Sequence, residues 1–384
     1  MSTVVARVLA GGVSGAAVLL ASACSGGVPG ISAAKVAQVT IAPANGGTQA
    51  KPDSPIKVTV DHGKIAQVSV QAAGGVAAVT GSLDGSRTHW TSAGNLTPGA
   101  KYTVTATAKN SDGKVTTATS SFSTLTPAKA LSILDVTPDQ QGESVGVGAP
   151  IIVTFNHTVT NKAAVERALT VTAEKPAVGA WRWVTGTQVI YRTKDYWQAH
   201  QKITFNARLT GVPAGPDTYG VKDLTKTIQI GSAQISVVNL NSGTMTVTRD
   251  GSKIRSFQVS GGNGTTREYT TTNGVHLTME KDNPVTMESP GRKPGDAGYY
   301  KVQENYAVRI SDTGEYVHES DPTSPSHGCI HAGTEDAKWF YDFSQRGDVV
   351  KVEGTDRKLD WGNGWGYWQL SFEQWKQGSA LQQG

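Results

Sequence analysis

Pro55-Ile56-Lys57-Val58-Thr59-Val60-Asp61-His62 returns 95 residues later as Pro150-Ile151-Ile152-Val153-Thr154-Phe155-Asn156-His157. A period of that size is one domain. The register continues outward: Trp90 is answered by Trp183, and Lys101-Tyr102-Thr103-Val104-Thr105-Ala106 by Lys202-Ile203-Thr204-Phe205-Asn206-Ala207. Each copy closes on another alternating run, Lys114 to Thr124 and Lys222 to Ile230. Apolar residues alternating with Thr and Lys have the period of a strand with one buried face. Turn signals at Asp84-Gly85, Thr97-Pro98-Gly99 and Asp112-Gly113 cut the first copy into short strands, which predicts an immunoglobulin-like sandwich, twice in tandem.

The chain has 384 residues, too many for one ordinary core. Its formal net charge of +4 is not gathered into a Lys/Arg stripe, which excludes nucleic acid as a partner. The repeat assigns His62 and His157 a structural role at equivalent strand ends, and places Trp90, Trp181 and Trp183 in or beside the two cores.

A different pattern starts near Ala233. Gln234 to Leu240, the turn Asn241-Ser242-Gly243 and Thr244 to Arg249 form a hairpin, and Asp250-Gly251 leads into a third strand, Ile254 to Ser260. Short strands are predicted at Val275 to Met279 and Tyr306 to Ile310. The segment Thr334 to Phe343 is predicted helical, with Thr334 as N-cap and Glu335 and Asp336 complementing the positive end of its dipole. Gly347-Asp348 then returns the chain to a strand, Val349 to Val352. Trp361, Trp365, Trp368 and Trp375 crowd the end, too many aromatics to leave in water, so this tail is expected to pack back on the body.

The chain has two cysteines, Cys24 and Cys329. Arg7, an uncharged stretch rich in Val, Ala, Leu and Gly, and Ala21-Ser22-Ala23-Cys24 read as a secretory leader. The small residues before Cys24 resemble the lipobox of bacterial lipoproteins, in which the cysteine is acylated; Leu20 stands one place earlier than the usual aliphatic residue. Lipidation, ordinary cleavage and an uncleaved anchor all put the remainder outside the cytoplasmic membrane. Cys329 is then a free thiol, in Ser326-His327-Gly328-Cys329-Ile330-His331. If that stretch is extended, His327, Cys329 and His331 share one face, and His318 arrives from Glu315-Tyr316-Val317-His318. A thiol with an ordinary pKa of ~8.5 beside an imidazole is a nucleophile for acyl transfer. Gly328 leaves the backbone bare, so that amides can face a developing oxyanion.

The string Ser-His-Gly-Cys with an upstream His and a following aromatic helix resembles the YkuD catalytic domain of the L,D-transpeptidases of bacterial peptidoglycan. The whole plan resembles the mycobacterial members of that family. The resemblance implies a leader at 1–24, a linker at 25–35, Ig-like domains at 36–126 and 127–231, a β-rich YkuD catalytic domain at 232–354 with one or two short helices, and a packing extension at 355–384. It implies Cys329 as nucleophile and His318 as base, oriented by the backbone carbonyl of residue 319. Amides around Gly328 and Cys329 would hold the oxyanion, and His327 would pack under the loop. Tyr299 and Met279 match residues of the donor pocket, and Ser326, His331 and Lys301 complete the expected substrate site. The implied partners are a tetrapeptide donor stem that loses D-Ala, a diamino-acid acceptor stem, carbapenems as inhibitors, and the membrane through a lipid on Cys24. The implied product is a 3→3 cross-link, made with no metal or organic cofactor.

The chain also departs from the family. Only seven residues, Glu319 to Pro325, separate His318 from Ser326, fewer than is usual. His331 replaces an Asn, leaving room for it to act as the base, and Lys301 stands where a related pattern has Thr. Met287, Pro290-Gly291 and Gly295 to Gly298 read as a substrate loop or a plain surface loop. Two other readings stay open: zinc held by His318, His327, Cys329 and His331, and a noncatalytic wall-binding lipoprotein.

Overall fold

The computed structural model describes residues 34–382 apart from 75–77, 141 and 290; Cys24 and the rest of the leader lie outside them. In the first unit, Gln38–Ala42, Lys57–Asp61, His89–Ser92 and Gly81–Leu83 form one antiparallel sheet. It faces a second made of Lys64–Ala72, Lys101–Lys109 and Val115–Ser123. The strand Lys101–Lys109 shows the cause: every second residue, from Tyr102 to Ala108, is buried, and the Thr and Lys between them are not. Ile56, Val58, Trp90, Val104 and Phe122 meet between the layers.

The second unit repeats this arrangement with two four-stranded sheets. One holds Ile133–Thr137, Ile151–Phe155, Gly179–Trp183 and Gln188–Thr193; the other holds Ser144–Val145, Leu169–Ala173, Gln201–Ala207 and Leu224–Ile230. The repeated motif strands, Lys57–Asp61 and Ile151–Phe155, lie inside their respective sheets.

The third unit is built on a nine-stranded mixed sheet. Gln234–Asn239, Thr244–Arg249 and Ser252–Ser260 form the expected meander. Val349–Glu353 comes back parallel to the first of these strands. Tyr316–Glu319 and Ile330–Ala332 are also parallel neighbours, so the chain between them has to cross back along the sheet. That return segment carries Ser326 to Cys329. The helix Thr334–Phe343 packs on these two strands with Ala337 and Phe340 buried. Gly333, not Thr334, occupies the N-cap. The Thr334 hydroxyl instead donates to Glu319 Oε1 at 2.6 Å, tying the helix to the strand that carries His318.

The second and third units share one hydrophobic core, in which Val145, Ile151, Trp181 and Phe205 continue into Leu277, Val349 and Trp365. At the seam Arg346 grips Glu143 through two bonds of 2.6 Å and Asp139 through a third of 2.6 Å. A side chain at Gly146 would lie 2.3 Å from the Asp348 amide nitrogen, so glycine is what lets the two backbones meet. The tail straps the seam. Trp375 is fully buried and donates to Ala180 O at 2.9 Å, and Trp368 donates to Gly148 O at 3.0 Å. Gln369 reaches across to Val275 O at 2.8 Å. Among the described residues no helix is long and apolar enough to cross a membrane.

Candidate active site

The return segment is held rigid by its own hydrogen bonds. Ser326 Oγ donates to Cys329 O at 2.5 Å and accepts from the Gly328 amide at 2.9 Å. Thr271 Oγ1 donates to Gly328 O at 2.8 Å, and the Ser326 amide donates to Gly261 O at 2.8 Å. Gly328 has φ +133°, which favours glycine. That turn breaks the expected alternation: residues 327–329 form a bend and the strand starts at Ile330. His327 and Cys329 nevertheless both line one cavity, which His331 does not. His327 is exposed rather than tucked under the loop, edge-on to Tyr269 with centroids 4.6 Å apart and stacked on Tyr300 at 4.7 Å. Ser326 is buried and engaged by the loop rather than offered to a substrate.

Cys329 lies at a cavity of about 560 Å³, lined among others by Tyr269, Met287, Tyr300, Tyr316, His327 and Gly328. Its Sγ is 4.0 Å from Met287 Sδ and 3.6 Å from Gly314 O. Burial pushes the thiol up to about 12, only partly opposed by a hydrogen bond with the Tyr316 backbone. Of the two amides expected at an oxyanion, that of Gly328 is committed to Ser326 Oγ. The Cys329 amide has no hydrogen-bond partner among the described residues.

His318 is buried and sits opposite His331 in the parallel ladder, their rings 5.0 Å apart. Its Nδ1 donates to Glu319 O at 2.9 Å. A carbonyl can only accept, so the proton is on Nδ1 and Nε2 keeps its lone pair. Burial holds His318 down to about 4, and the backbone bond to Glu319 opposes this only in part. Glu304, which the sequence reading missed, places Oε2 3.6 Å from the same Nδ1. His331 Nδ1 donates to Ser324 O at 2.9 Å, and burial lowers its pKa too. The short connection after His318 makes that bond possible: Asp321 accepts from Thr323 and Ser324 and folds it into a tight turn.

Met279, Tyr299 and Lys301 do not line the cavity themselves, although the last two bond to Glu288, which does. Met279 is buried in the core beside Gly364, and Met287 lies against the sulfur instead. Tyr299 donates to Glu288 Oε1 at 2.9 Å on an exposed hairpin, and its neighbour Tyr300 lines the cavity. Lys301 pairs with Glu288 at 3.1 Å, largely in solvent. Burial first, and the nearby sulfur second, push the Tyr300 phenol up, so it stays a hydrogen-bond donor throughout the neutral range. Among the described residues no group of three or more His, Cys, Asp or Glu is placed to hold a metal ion.

A thiol, a buried imidazole with a free lone pair, an unengaged amide and a cavity at the sulfur are the components of acyl transfer. The comparisons agree on the class. Residues 233–352 match the L,D-transpeptidase catalytic domain family, and residues 47–213 match a bacterial Ig domain family. L,D-transpeptidase 5 of Mycobacterium tuberculosis is 32% identical over 358 residues, covering 90% of this chain and 77% of that protein. L,D-transpeptidase 2 of the same species is 28% identical over 355 residues, covering 90% and 85%. A solved LD transpeptidase in complex with imipenem superposes with a TM-score of 0.50 at 29% identity, over 59% of this chain and 100% of that one. The chain belongs to the L,D-transpeptidases, acyltransferases with a cysteine nucleophile.

Proposed function

We propose that this enzyme makes 3→3 cross-links in peptidoglycan through a thioester on Cys329. The observation that carries the reading is a thiol at a cavity with a neutral, backbone-oriented imidazole on the neighbouring parallel strand. His318 Nε2 takes the thiol proton as sulfur attacks the carbonyl of the third stem residue. The tetrahedral oxyanion is met by the Cys329 amide and the Tyr300 hydroxyl. As it collapses, the C–N bond to D-Ala breaks and the leaving amine takes the proton from His318. The side-chain amine of a second stem then attacks the thioester and gives its proton to His318; the C–S bond breaks and the departing sulfur takes that proton back, restoring the neutral thiol and imidazole. The peptide bond consumed supplies the acyl group, so no cofactor is invoked. A carbapenem would acylate the same sulfur. The leader is proposed to be lipidated at Cys24, holding the enzyme at the outer face of the membrane with its two sandwiches as a spacer.

The test is intact-mass spectrometry with a disaccharide tetrapeptide donor. A mass increase corresponding to the tripeptidyl stem, with a cross-linked dimer as product, is expected; a folded protein that gives neither would overturn the reading.

Both pKa shifts favour neutral thiol and neutral imidazole at rest, so the proton moves during attack and not before it. Acylation is therefore expected to fall as pH drops through about 4, where His318 gains a proton, and to be flat through neutrality, well below the thiol value of about 12. Stopped-flow acylation across pH checks this; an acid limb near 7 would contradict it. Tyr300→Phe removes one proposed oxyanion donor and is expected to cost about 10²–10³ in acylation rate while binding changes little.

A further inference from the structure

The first sandwich carries a cavity of about 790 Å³, lined by Lys35, Lys64, Arg87 and Lys109 together with His62. Between residues 34 and 126 the chain has eight Lys or Arg and four Asp or Glu. Four of those eight cations line this cavity and none of the four acids does. The ion pair found among the described residues of this unit joins Asp84 to His89 instead, and Asp112 accepts from the Ala34 amide. Lys64 and Lys109 face each other directly across the antiparallel ladder, an arrangement that like-charge repulsion makes unfavourable in the absence of an anion. His62 and Arg87 hold φ +59° and +61°, strained values for residues with a side chain, and strain of this kind clusters at binding sites. Arg87 is fixed there by donating from Nε and Nη2 to Ile65 O at 3.3 and 3.0 Å. Lys35 is fixed by its carbonyl, which accepts from Asn110 Nδ2 at 3.1 Å.

We propose that this cavity binds the phosphate of an anionic phospholipid headgroup. Four cations with no carboxylate partner select a phosphate-bearing anion; the position of the cavity selects the lipid. Its wall begins at Ala34, ten residues after Cys24, and ten extended residues reach at most ~35 Å. A chain held at Cys24 therefore keeps the cavity within reach of the headgroups, where each Lys or Arg adds attraction to an anionic surface. The choice of lipid rests on the proposed attachment of Cys24; the choice of anion does not.

The test is hydrogen exchange of the full chain in neutral-detergent micelles, without additive or with phosphatidylglycerol, phosphatidylcholine or inorganic phosphate. Segments 62–66 and 109–111 are expected to exchange about tenfold more slowly with phosphatidylglycerol, with the effect fading as salt is raised. Phosphatidylcholine is expected to do nothing, and partial protection by inorganic phosphate supports the phosphate chemistry. Lys64→Glu puts an opposite charge across from Lys109, so it folds at least as well and is expected to lose the protection. No protection, equal protection by phosphatidylcholine, or full protection in Lys64→Glu overturns the proposal. Preference for a soluble phosphodiester wall polymer over the lipid overturns the choice of ligand. Membrane fractionation of cells carrying Cys24→Ala reads attachment separately, so a failed anchor and an empty cavity give different results.

Discussion

Cys329→Ala is expected to leave a folded protein that takes up no acyl group, and His318→Ala one that acylates about 10²–10⁴-fold more slowly. The two losses differ in kind. The sulfur is the only atom that can form the thioester in the proposed mechanism, so nothing replaces it. The base can be replaced poorly by water or by His331, whose ring lies 5.0 Å from that of His318. Folding should survive the first change, because the contacts of Sγ are weak ones, 4.0 Å to Met287 Sδ, 3.6 Å to Gly314 O and one bond with the Tyr316 backbone. The second opens a hole beside Glu304, so His318→Gln, which fills the space without a basic nitrogen, is the better control. Intact mass and stopped-flow acylation by a carbapenem decide. An adduct on Cys329→Ala, or full speed in both His318 variants, would remove the proposed mechanism. Full speed in His318→Gln that vanishes when His331 is also replaced would move the base to His331.

Trp375→Ala is expected to cost about 3–5 kcal/mol, the range for emptying the site of a buried indole, which is roughly 6–20 °C of melting temperature for a unit of this size. Trp375 is fully buried and its Nε1 donates to Ala180 O at 2.9 Å. Its ring also lies 5.1 Å from the guanidinium of Arg192, and Trp368 lies 4.8 Å from it. Arg192 is itself buried, with Nη1 donating to Tyr367 O and Leu370 O at 2.8 and 3.0 Å, and burial lowers it to about 10. Removing the indole takes one face from a desolvated cation as well as leaving a void. Truncation after Gly354 removes both Trp residues and the two carbonyls, and is expected to cost more. Calorimetry checks both; an unchanged melting temperature after truncation would mean that the strap does not bear on stability.

The sandwiches were legible because alternation over a repeated strand leaves one solution: the same residues that carry the period, such as Val58 and Val153, are the buried ones. The sulfur and the imidazole were legible because their motif is chemically specific. The walls were not. Tyr299 and Tyr300 are adjacent, and in an extended segment one residue of shift swaps the faces; nothing in the sequence says which ring turns inward. Met279 follows one short strand and Met287 lies within another, and only the three-dimensional packing separates core from cavity. Thr334 looks like a cap by type, yet Glu319 competes for its hydroxyl and wins. Glu304 escaped notice because its partner, His318, lies in a different sheet and not beside it along the chain.

The continuous core beneath the seam has a consequence for inheritance. A catalytic unit whose floor is finished by Gly146, Glu143 and Arg192 of its neighbour is not a cassette that recombination can lift out cleanly. A chimera cut near residue 232 would need both lips of the join from one parent, whereas the first sandwich can be exchanged without touching that join. The units are three by count, but the seam makes the second and third a single heritable block.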